Sequence, residues 1–79
     1  MTIKEAINQA VIMLKNENID APKNKARMLL ETTLKKSKEY LIIYDNKEIT
    51  PQERELYIKN VKKHILGEPI QYITGKQEF

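Results

Sequence analysis

The apolar residues near the start of the chain recur at the spacing of an α-helix. Positions three or four apart share one helix face, and this face comprises Ile3, Ile7, Ala10 and Leu14. Thr2 followed by Glu5 has the pattern of a capping box, in which each side chain accepts a hydrogen bond from the other residue's backbone amide. Together these signals predict a first helix from about Ile3 to Asn16.

A second amphipathic stretch follows, and a shorter one comes after it. The apolar face of the second stretch comprises Ala26, Leu29, Leu30 and Leu34. Proline is tolerated in a first helical turn, so we expect this helix to open at Pro22 with Asp20 as its cap. Ser37 is the candidate cap of a short third helix over Tyr40 to Tyr44, whose two tyrosines are expected at the edge of the core.

The clearest helix signal is Thr50-Pro51-Gln52-Glu53, which combines a capping box with proline at the first helical position. We expect this helix to run from Pro51 to about Leu66 and to end at Gly67, because glycine best tolerates the left-handed conformation that follows many helices. Its predicted apolar side comprises Tyr57, Ile58, Val61, Ile65 and Leu66. His64, near its end, is expected to act as a cation favoured by the helix dipole.

The distribution of glycine divides the chain into two unequal parts. Residues 1–66 contain no glycine, whereas residues 67–79 contain two. We therefore predict an all-α fold, a small bundle of four to five helices over residues 1–66, with a distinct segment over residues 67–79. In that segment we expect a helical turn over 70–73 and the start of a strand over 76–79. A lone strand is unstable in water, which indicates a piece of a longer protein.

Composition excludes several kinds of site. The 79 residues include no Cys and one His, so disulfides, thiolate zinc sites and multi-histidine metal sites are ruled out. The sequence has no glycine-rich phosphate loop and no nucleophile elbow. No apolar run approaches the roughly 20 residues that a membrane span needs, and no signal-peptide pattern is visible. A cytoplasmic protein is therefore expected.

Positive charge is concentrated between residues 22 and 38. Six basic residues there accompany one acidic residue, Glu31, which gives a local net charge of +5. The six are Lys23, Lys25, Arg27, Lys35, Lys36 and Lys38. Such a cluster suits a nucleic acid or an acidic protein partner, and it is also typical of a solvated helix face. Nucleic acid is the less favoured partner, because only one of the six is arginine and no aromatic residue stands among them to stack on bases.

The last 13 residues carry the most specific motif. Residues 67–79 read G-E-P-I-Q-Y-I-T-G-K-Q-E-F, which closely resembles the G-E-P-[IL]-x-Y-[IL]-x-G-x-x-E-F signature that closes the N-terminal domain of the HemK/PrmC family of protein-(glutamine-N5) methyltransferases. Two helical segments, residues 26–30 and 49–53, also match the family layout. The chain departs from it at Lys25, where an acidic residue is usual, and at Leu66, where a charged residue is common.

The resemblance implies a helical substrate-recognition domain, joined by a β-hairpin linker that the tail begins, to a Rossmann-like catalytic domain. That second domain would bind S-adenosylmethionine and methylate the glutamine of the G-G-Q motif in peptide chain release factors. Neither its cofactor motif nor its N-P-P-Y motif occurs in this sequence. No catalytic, cofactor-binding or metal-binding residue is therefore assigned, and this chain alone is expected to be inactive. The expected partners are a release factor and the protein's own catalytic domain, with no membrane.

Seven residues match the positions of the signature that allow a single residue type, and the resemblance implies that they form an interdomain hinge. They are Gly67, Glu68, Pro69, Tyr72, Gly75, Glu78 and Phe79. The alternative hypothesis is a stand-alone basic helical module that binds RNA or an acidic protein through residues 22–38. The two hypotheses differ in what they expect the chain to bind: a release factor, or RNA with an affinity that falls steeply with salt.

Overall fold

The computed structural model describes residues 1–68, which form four helices: α1 (Ile3–Asn16), α2 (Pro22–Leu34), α3 (Lys38–Ile43) and α4 (Pro51–Ile65). Within these residues there is no strand, only an isolated antiparallel bridge between Thr2 and Glu48. The predicted all-α class is confirmed. The turn expected over 70–73 and the strand expected over 76–79 lie outside the described residues.

The helix starts follow local capping chemistry, as the sequence predicts. In α1, the backbone amide of Glu5 donates to Thr2 Oγ1 at 3.1 Å, and the amide of Thr2 donates to Glu5 Oε1 at 2.9 Å. The same reciprocal pair joins Thr50 and Glu53 at 3.0 and 2.8 Å. The hydroxyl of Ser37 accepts from the Tyr40 amide at 3.1 Å. Both boxes and the Ser37 cap are confirmed.

The cap predicted for α2 is wrong. The helix does begin at Pro22, but its N-cap residue is Ala21, which has a left-handed backbone (φ 48°) and makes no side-chain capping bond. Because proline fills the first helical position, the capping position falls to residue 21 and Asp20 lies one residue outside it. The helix therefore begins without a hydrogen bond from a capping side chain, and the positive φ of Ala21 has a steric cost.

A single apolar core joins α1, α2 and α4. Its buried members are Ile3, Ala6, Ala10, Leu14, Ala26, Leu29, Leu30, Leu41, Ile49, Tyr57 and Val61. Of the predicted apolar positions, Ile7, Leu34, Ile58 and Ile65 are half-buried, and Leu66 is 82% exposed. Leu66 follows Tyr57 by nine residues, which on a helix is a turn of about 180° from the buried face. Its placement on the apolar side of α4 is therefore wrong.

Two buried polar side chains join α2 to α4, in a contact that we name the α2–α4 seam (Tyr57, Asn60 and Val61 against Ala26, Leu29, Leu30 and Thr33). The hydroxyl of Tyr57 donates to the carbonyl oxygen of Ala26 at 2.8 Å, and burial raises the pKa of Tyr57 well above its usual value. The amide nitrogen of Asn60 donates to Thr33 Oγ1 at 3.0 Å. These bonds keep the seam's buried polar groups paired, so burial costs little there.

The segment over residues 45–49 completes the beginning of α1. The amides of Ile3 and Lys4 donate to the carbonyl oxygens of Lys47 and Asp45, each at 2.9 Å, and the Ile49 amide donates to the Met1 carbonyl oxygen at 3.0 Å. The first amides of a helix have no partner inside it, and here the chain after α3 supplies two of those partners. The same bonds hold the end of α3 beside the first turn of α1.

Candidate docking grooves

Open grooves flank the buried stripe of α1 on both sides. Successive residues of an α-helix turn by about 100°, so Lys4, Ile7 and Asn8 face one side of that stripe. Gln9 and Met13 face the other side. The first set lines a groove shared with α2 and α3, which we call the α3 groove. The second set borders grooves shared with α4.

The α3 groove has a volume of about 360 Å³. It is lined by Lys4, Ile7, Asn8, Lys23, Asn24, Arg27, Leu41, Ile42 and Asp45. Leu41 is buried at its floor and Ile7 is half-buried, whereas Ile42 is 61% exposed. The next two residues of the chain, Ile43 and Tyr44, are also exposed, at 68% and 49%. Three consecutive large apolar side chains therefore face solvent at this corner of the bundle.

The charged groups of the α3 groove are mostly cations. Lys4, Lys23 and Arg27 oppose one acid, Asp45, so the lining carries a net charge of +2. Arg27 is held in place, because its Nε donates to Glu31 at 3.0 Å and its Nη1 donates to Asn24 at 3.2 Å. Arg27 and Glu31 thus form an ion pair between residues four apart on α2. Two of the five N–H donors of Arg27 are engaged, and the fork is preorganised for an incoming carboxylate.

The six basic residues singled out in the sequence do not share one groove. Lys23 and Arg27 lie together in the α3 groove. Lys25 lies about 200° around α2 from Lys23 and is half-buried. Lys35, which caps the end of α2, and Lys38, the first residue of α3, are both exposed. Lys36 places its ammonium 5.0 Å from the ring centre of Tyr40, in a cation–π contact.

Tyr40 is the centre of a small polar cluster on the face that Lys36 shares. Its ring centre lies 4.6 Å from that of Tyr44, and the ammonium of Lys47 donates to its hydroxyl at 2.9 Å. That hydrogen bond is the main reason that the pKa of Lys47 is raised. Tyr40 is half-buried with its hydroxyl at an exposed bond, as predicted for the edge of the core.

The second groove, which we call the α4 groove, lies between α1 and α4. It is lined by Gln9, Arg54, Glu55, Ile58, Lys59, Lys62, Lys63 and Leu66. Four cations against Glu55 give this lining a net charge of +3. Residues 40–79 as a whole are neutral, with six basic and six acidic residues. The sequence average therefore hides this cluster, and only the helical spacing of the lysines at 59, 62 and 63 could have revealed it.

The α4 groove also holds an unpaired polar atom. Gln9 Oε1 is buried and accepts no hydrogen bond from the part of the chain that the structure describes. Near the other end of the groove, α4 finishes as predicted: Gly67 has φ 108°, and its amide donates to the His64 carbonyl oxygen at 3.0 Å. His64 lies in the last helical turn, where its Nδ1–H donates to the Glu68 carbonyl oxygen at 2.9 Å.

Of the seven expected hinge residues, the structure describes Gly67 and Glu68. Both are exposed at the end of α4. The other five, Pro69, Tyr72, Gly75, Glu78 and Phe79, lie outside the described residues, so the hinge remains a prediction. Within residues 1–68, no group of three or more His, Cys, Asp or Glu side chains could hold a metal ion. Over the same range, no helix is long and apolar enough to cross a membrane.

Comparison with known proteins gives one family. The family model described as the PrmC N-terminal domain matches residues 5–75. The chain is 37% identical over 79 residues to the release factor glutamine methyltransferase of Koribacter versatilis and 38% identical over 79 residues to that of Borreliella burgdorferi. It is 36% identical over 78 residues to the bifunctional methyltransferase of Rickettsia typhi.

These matches cover 100%, 100% and 99% of the chain, but only 28%, 26% and 15% of the respective relatives. The chain therefore spans about a quarter, or less, of the length of the curated proteins it resembles. No solved structure matches it.

Proposed function

The chain belongs to the PrmC N-terminal domain family, and from that premise we propose that it is the release-factor-recognition domain of a glutamine methyltransferase. One observation carries the proposal. The whole chain aligns with about a quarter of proteins named release factor glutamine methyltransferase. In this proposal the domain binds the release factor, while the groups that react in methyl transfer lie elsewhere in the protein.

In this proposal, S-adenosylmethionine bound to a separate domain supplies the methyl group for the side-chain nitrogen of a release-factor glutamine. The helical bundle contributes contacts far from that nitrogen. Binding energy from remote contacts can be used to position the reacting groups. It also allows the enzyme to select a folded release factor over a free peptide with the same glutamine motif. The cationic grooves and the exposed α3 residues supply surface for such contacts.

The test is an equilibrium binding measurement between this 79-residue chain and a purified release factor. Calorimetry or fluorescence anisotropy should give a dissociation constant below about 100 μM, equivalent to a standard binding free energy of about −5.5 kcal/mol. The same chain, incubated with release factor and S-adenosylmethionine, should transfer no methyl group. Absence of binding at high micromolar concentration, when a full-length relative does bind, would contradict an independently docking domain.

The four cations of the α4 groove favour one competing function, binding to RNA. RNA binding by counterion release weakens steeply and log-linearly with salt. A competition experiment separates the two functions. If RNA binds with a steep salt slope and displaces release factor, the basic-module hypothesis is favoured. If release factor binds in the presence of excess RNA, the recognition-domain proposal holds.

A further inference from the structure

We propose that the release factor docks in the α3 groove, and that the part it inserts is an acidic segment carrying one large apolar side chain. This inference rests on the function proposed above. It adds which face of the bundle meets the partner and what chemistry that partner presents.

The apolar part of the argument comes from α3. This six-residue helix buries Leu41 alone and leaves Ile42 and Ile43 largely in solvent. Ile42 lines the groove, so an apolar side chain seated there would contact Ile42 and the half-buried Ile7. Clustered exposed apolar residues mark interaction surfaces, and binding energy concentrates on such anchors within a polar rim.

The charged part of the argument comes from the rim. Lys4 stands on α1, while Lys23 and Arg27 stand on α2, so the cations border the groove from two helices. Asp45 is the only acid in the lining, and Glu31 pairs with Arg27 just outside it. A segment with carboxylates on both sides of an apolar residue would complement this pattern. Complementary charge accelerates association and fixes the orientation of the bound partner.

The α3 groove is also held in shape before any partner arrives. The amide of Lys4 donates to the Asp45 carbonyl oxygen at 2.9 Å, which links two residues of the groove lining, one on α1 and one in the segment after α3. Arg27 is fixed by Asn24 and Glu31. Groups that are ordered in the free protein lose less conformational entropy on binding. The groove is therefore suited to a partner that brings its own fold.

The α4 groove is the less suitable face for this partner, although its charge is higher. Its one large exposed apolar residue is Leu66, which lies one residue before Gly67. At the α3 groove, by contrast, the exposed lining residue Ile42 is followed along the chain by the exposed Ile43 and Tyr44. The α3 groove therefore offers the larger exposed apolar surface, which the proposed partner needs as its anchor.

Matched substitutions test the assignment. Ile42→Ala removes the apolar anchor, and Ile12→Ala is its control, because Ile12 is 60% exposed on α1 and lines neither groove. The double substitution K4E/K23E reverses two rim charges. Its control is R54E/K59E, which makes the same change of charge in the α4 groove. Lys4 and Lys23 lie in the first turns of their helices, where glutamate is favoured by the helix dipole, so the reversals should preserve the fold.

The measurement is the dissociation constant for purified release factor at fixed salt, with circular dichroism confirming that every variant is folded. We expect Ile42→Ala and K4E/K23E each to weaken binding at least tenfold, and both controls to change it less than threefold. If R54E/K59E weakens binding as much as K4E/K23E, the assignment to the α3 groove is overturned. If Ile42→Ala and K4E/K23E both bind like the unaltered chain, the assignment is overturned as well.

The same experiment separates this inference from the proposed function. When the unaltered chain binds release factor and only the α4-groove variant fails, the recognition role stands and the groove assignment falls. When the unaltered chain does not bind at all, the recognition role itself falls, and the groove assignment falls with it.

Discussion

The α2–α4 seam and helix α3 use large apolar side chains in opposite ways. In the seam, Tyr57 is fully buried and its hydroxyl is paired with the Ala26 carbonyl oxygen. In α3, only Leu41 is buried, and Ile42 and Ile43 remain in solvent. The contrast indicates that folding stability comes mainly from the three longer helices, while α3 contributes exposed surface. Substitutions in the two regions should therefore affect different measurements.

The largest expected effect is the loss of stability in Tyr57→Ala. Removing a buried aromatic side chain costs about 3–5 kcal/mol, a large part of the roughly 4–12 kcal/mol expected for a domain of this length. Urea denaturation followed by circular dichroism should show a chain that is wholly or mostly unfolded. The matched change Tyr44→Ala, at a half-exposed tyrosine near α3, should cost less than about 1 kcal/mol. Equal losses for the two would show that the seam is not the main source of stability.

The hydroxyl of Tyr57 should make stability depend on alkaline pH. The pKa of Tyr57 is raised in the folded chain, so folding favours the neutral hydroxyl. The contribution of this hydroxyl to the free energy of unfolding is therefore fully present below about pH 10, which is the pKa of tyrosine in the unfolded chain. As pH rises above 10 toward the folded pKa, that contribution falls by up to about 1.4 kcal/mol per pH unit. Tyr57→Phe lacks this titration and loses about 1 kcal/mol for the missing hydrogen bond.

The check is the difference in urea midpoint between the unaltered chain and Tyr57→Phe, measured at pH 8 and at pH 11. The unaltered chain should be the more stable at pH 8, and the difference should shrink or reverse at pH 11. Lysines titrate in the same range, but they are common to both proteins and their effect cancels. A difference that stays constant across this range would contradict the burial of the Tyr57 hydroxyl.

Removing a helix cap should cost less stability than Tyr57→Ala, and the cost should differ between α4 and α3. Thr50→Ala removes the capping box of α4, which typically costs about 1 kcal/mol. Ser37→Ala removes a comparable bond at the start of α3. Because Leu41 is the one fully buried residue of α3, part of the stability lost in Ser37→Ala should appear as local fraying and not as global unfolding. Thermal denaturation should therefore show a smaller shift for Ser37→Ala; the reverse order would mean that α3 is integral to the core.

The smallest effect on stability is expected for Ile42→Ser. Substitutions at exposed positions usually change the free energy of unfolding by less than about 0.5 kcal/mol, and Ile42 is exposed in the free chain. Chemical denaturation of this variant should superimpose closely on that of the unaltered chain. Its effect should appear in binding to release factor, where Tyr57→Phe, which remains folded, should bind normally. A stability loss above about 1 kcal/mol would mean that Ile42 belongs to the core.

Much of the fold could be predicted because its signals are local. The capping boxes at Thr2 and Thr50 each depend on residues three positions apart, and the end of α4 at Gly67 depends on one residue's backbone freedom. Helices α1, α2 and α4 begin at the residues that these signals predict. The prediction that Asp20 caps α2 is wrong because it depends on residue type alone. Pro22 occupies the first helical position, and this places the cap at residue 21.

The grooves could not be predicted in the same way, because they depend on how distant segments pack. Lys4 and Asp45 meet only because the chain after α3 returns to the start of α1. The cations of the α4 groove are spread along a segment that contains an equal number of acids. The prediction that Leu66 lies on the apolar side of α4 depends on its residue type alone. Its angle around the helix axis turns it toward solvent. Of the six predicted basic residues, packing brings Lys23 and Arg27 into the α3 groove.

The bonds between the start of α1 and residues 45–49 have a consequence for synthesis of the chain on the ribosome. Helix α1 is translated first, but the partners of its Ile3 and Lys4 amides are translated more than 40 residues later. At elongation rates of about 5–20 residues per second, this delay is roughly 2–9 seconds. During that interval the apolar stripe of α1 has no finished bundle to pack against. Helix α1 is therefore completed only after α3 has emerged, and the nascent chain exposes that stripe to chaperones until then.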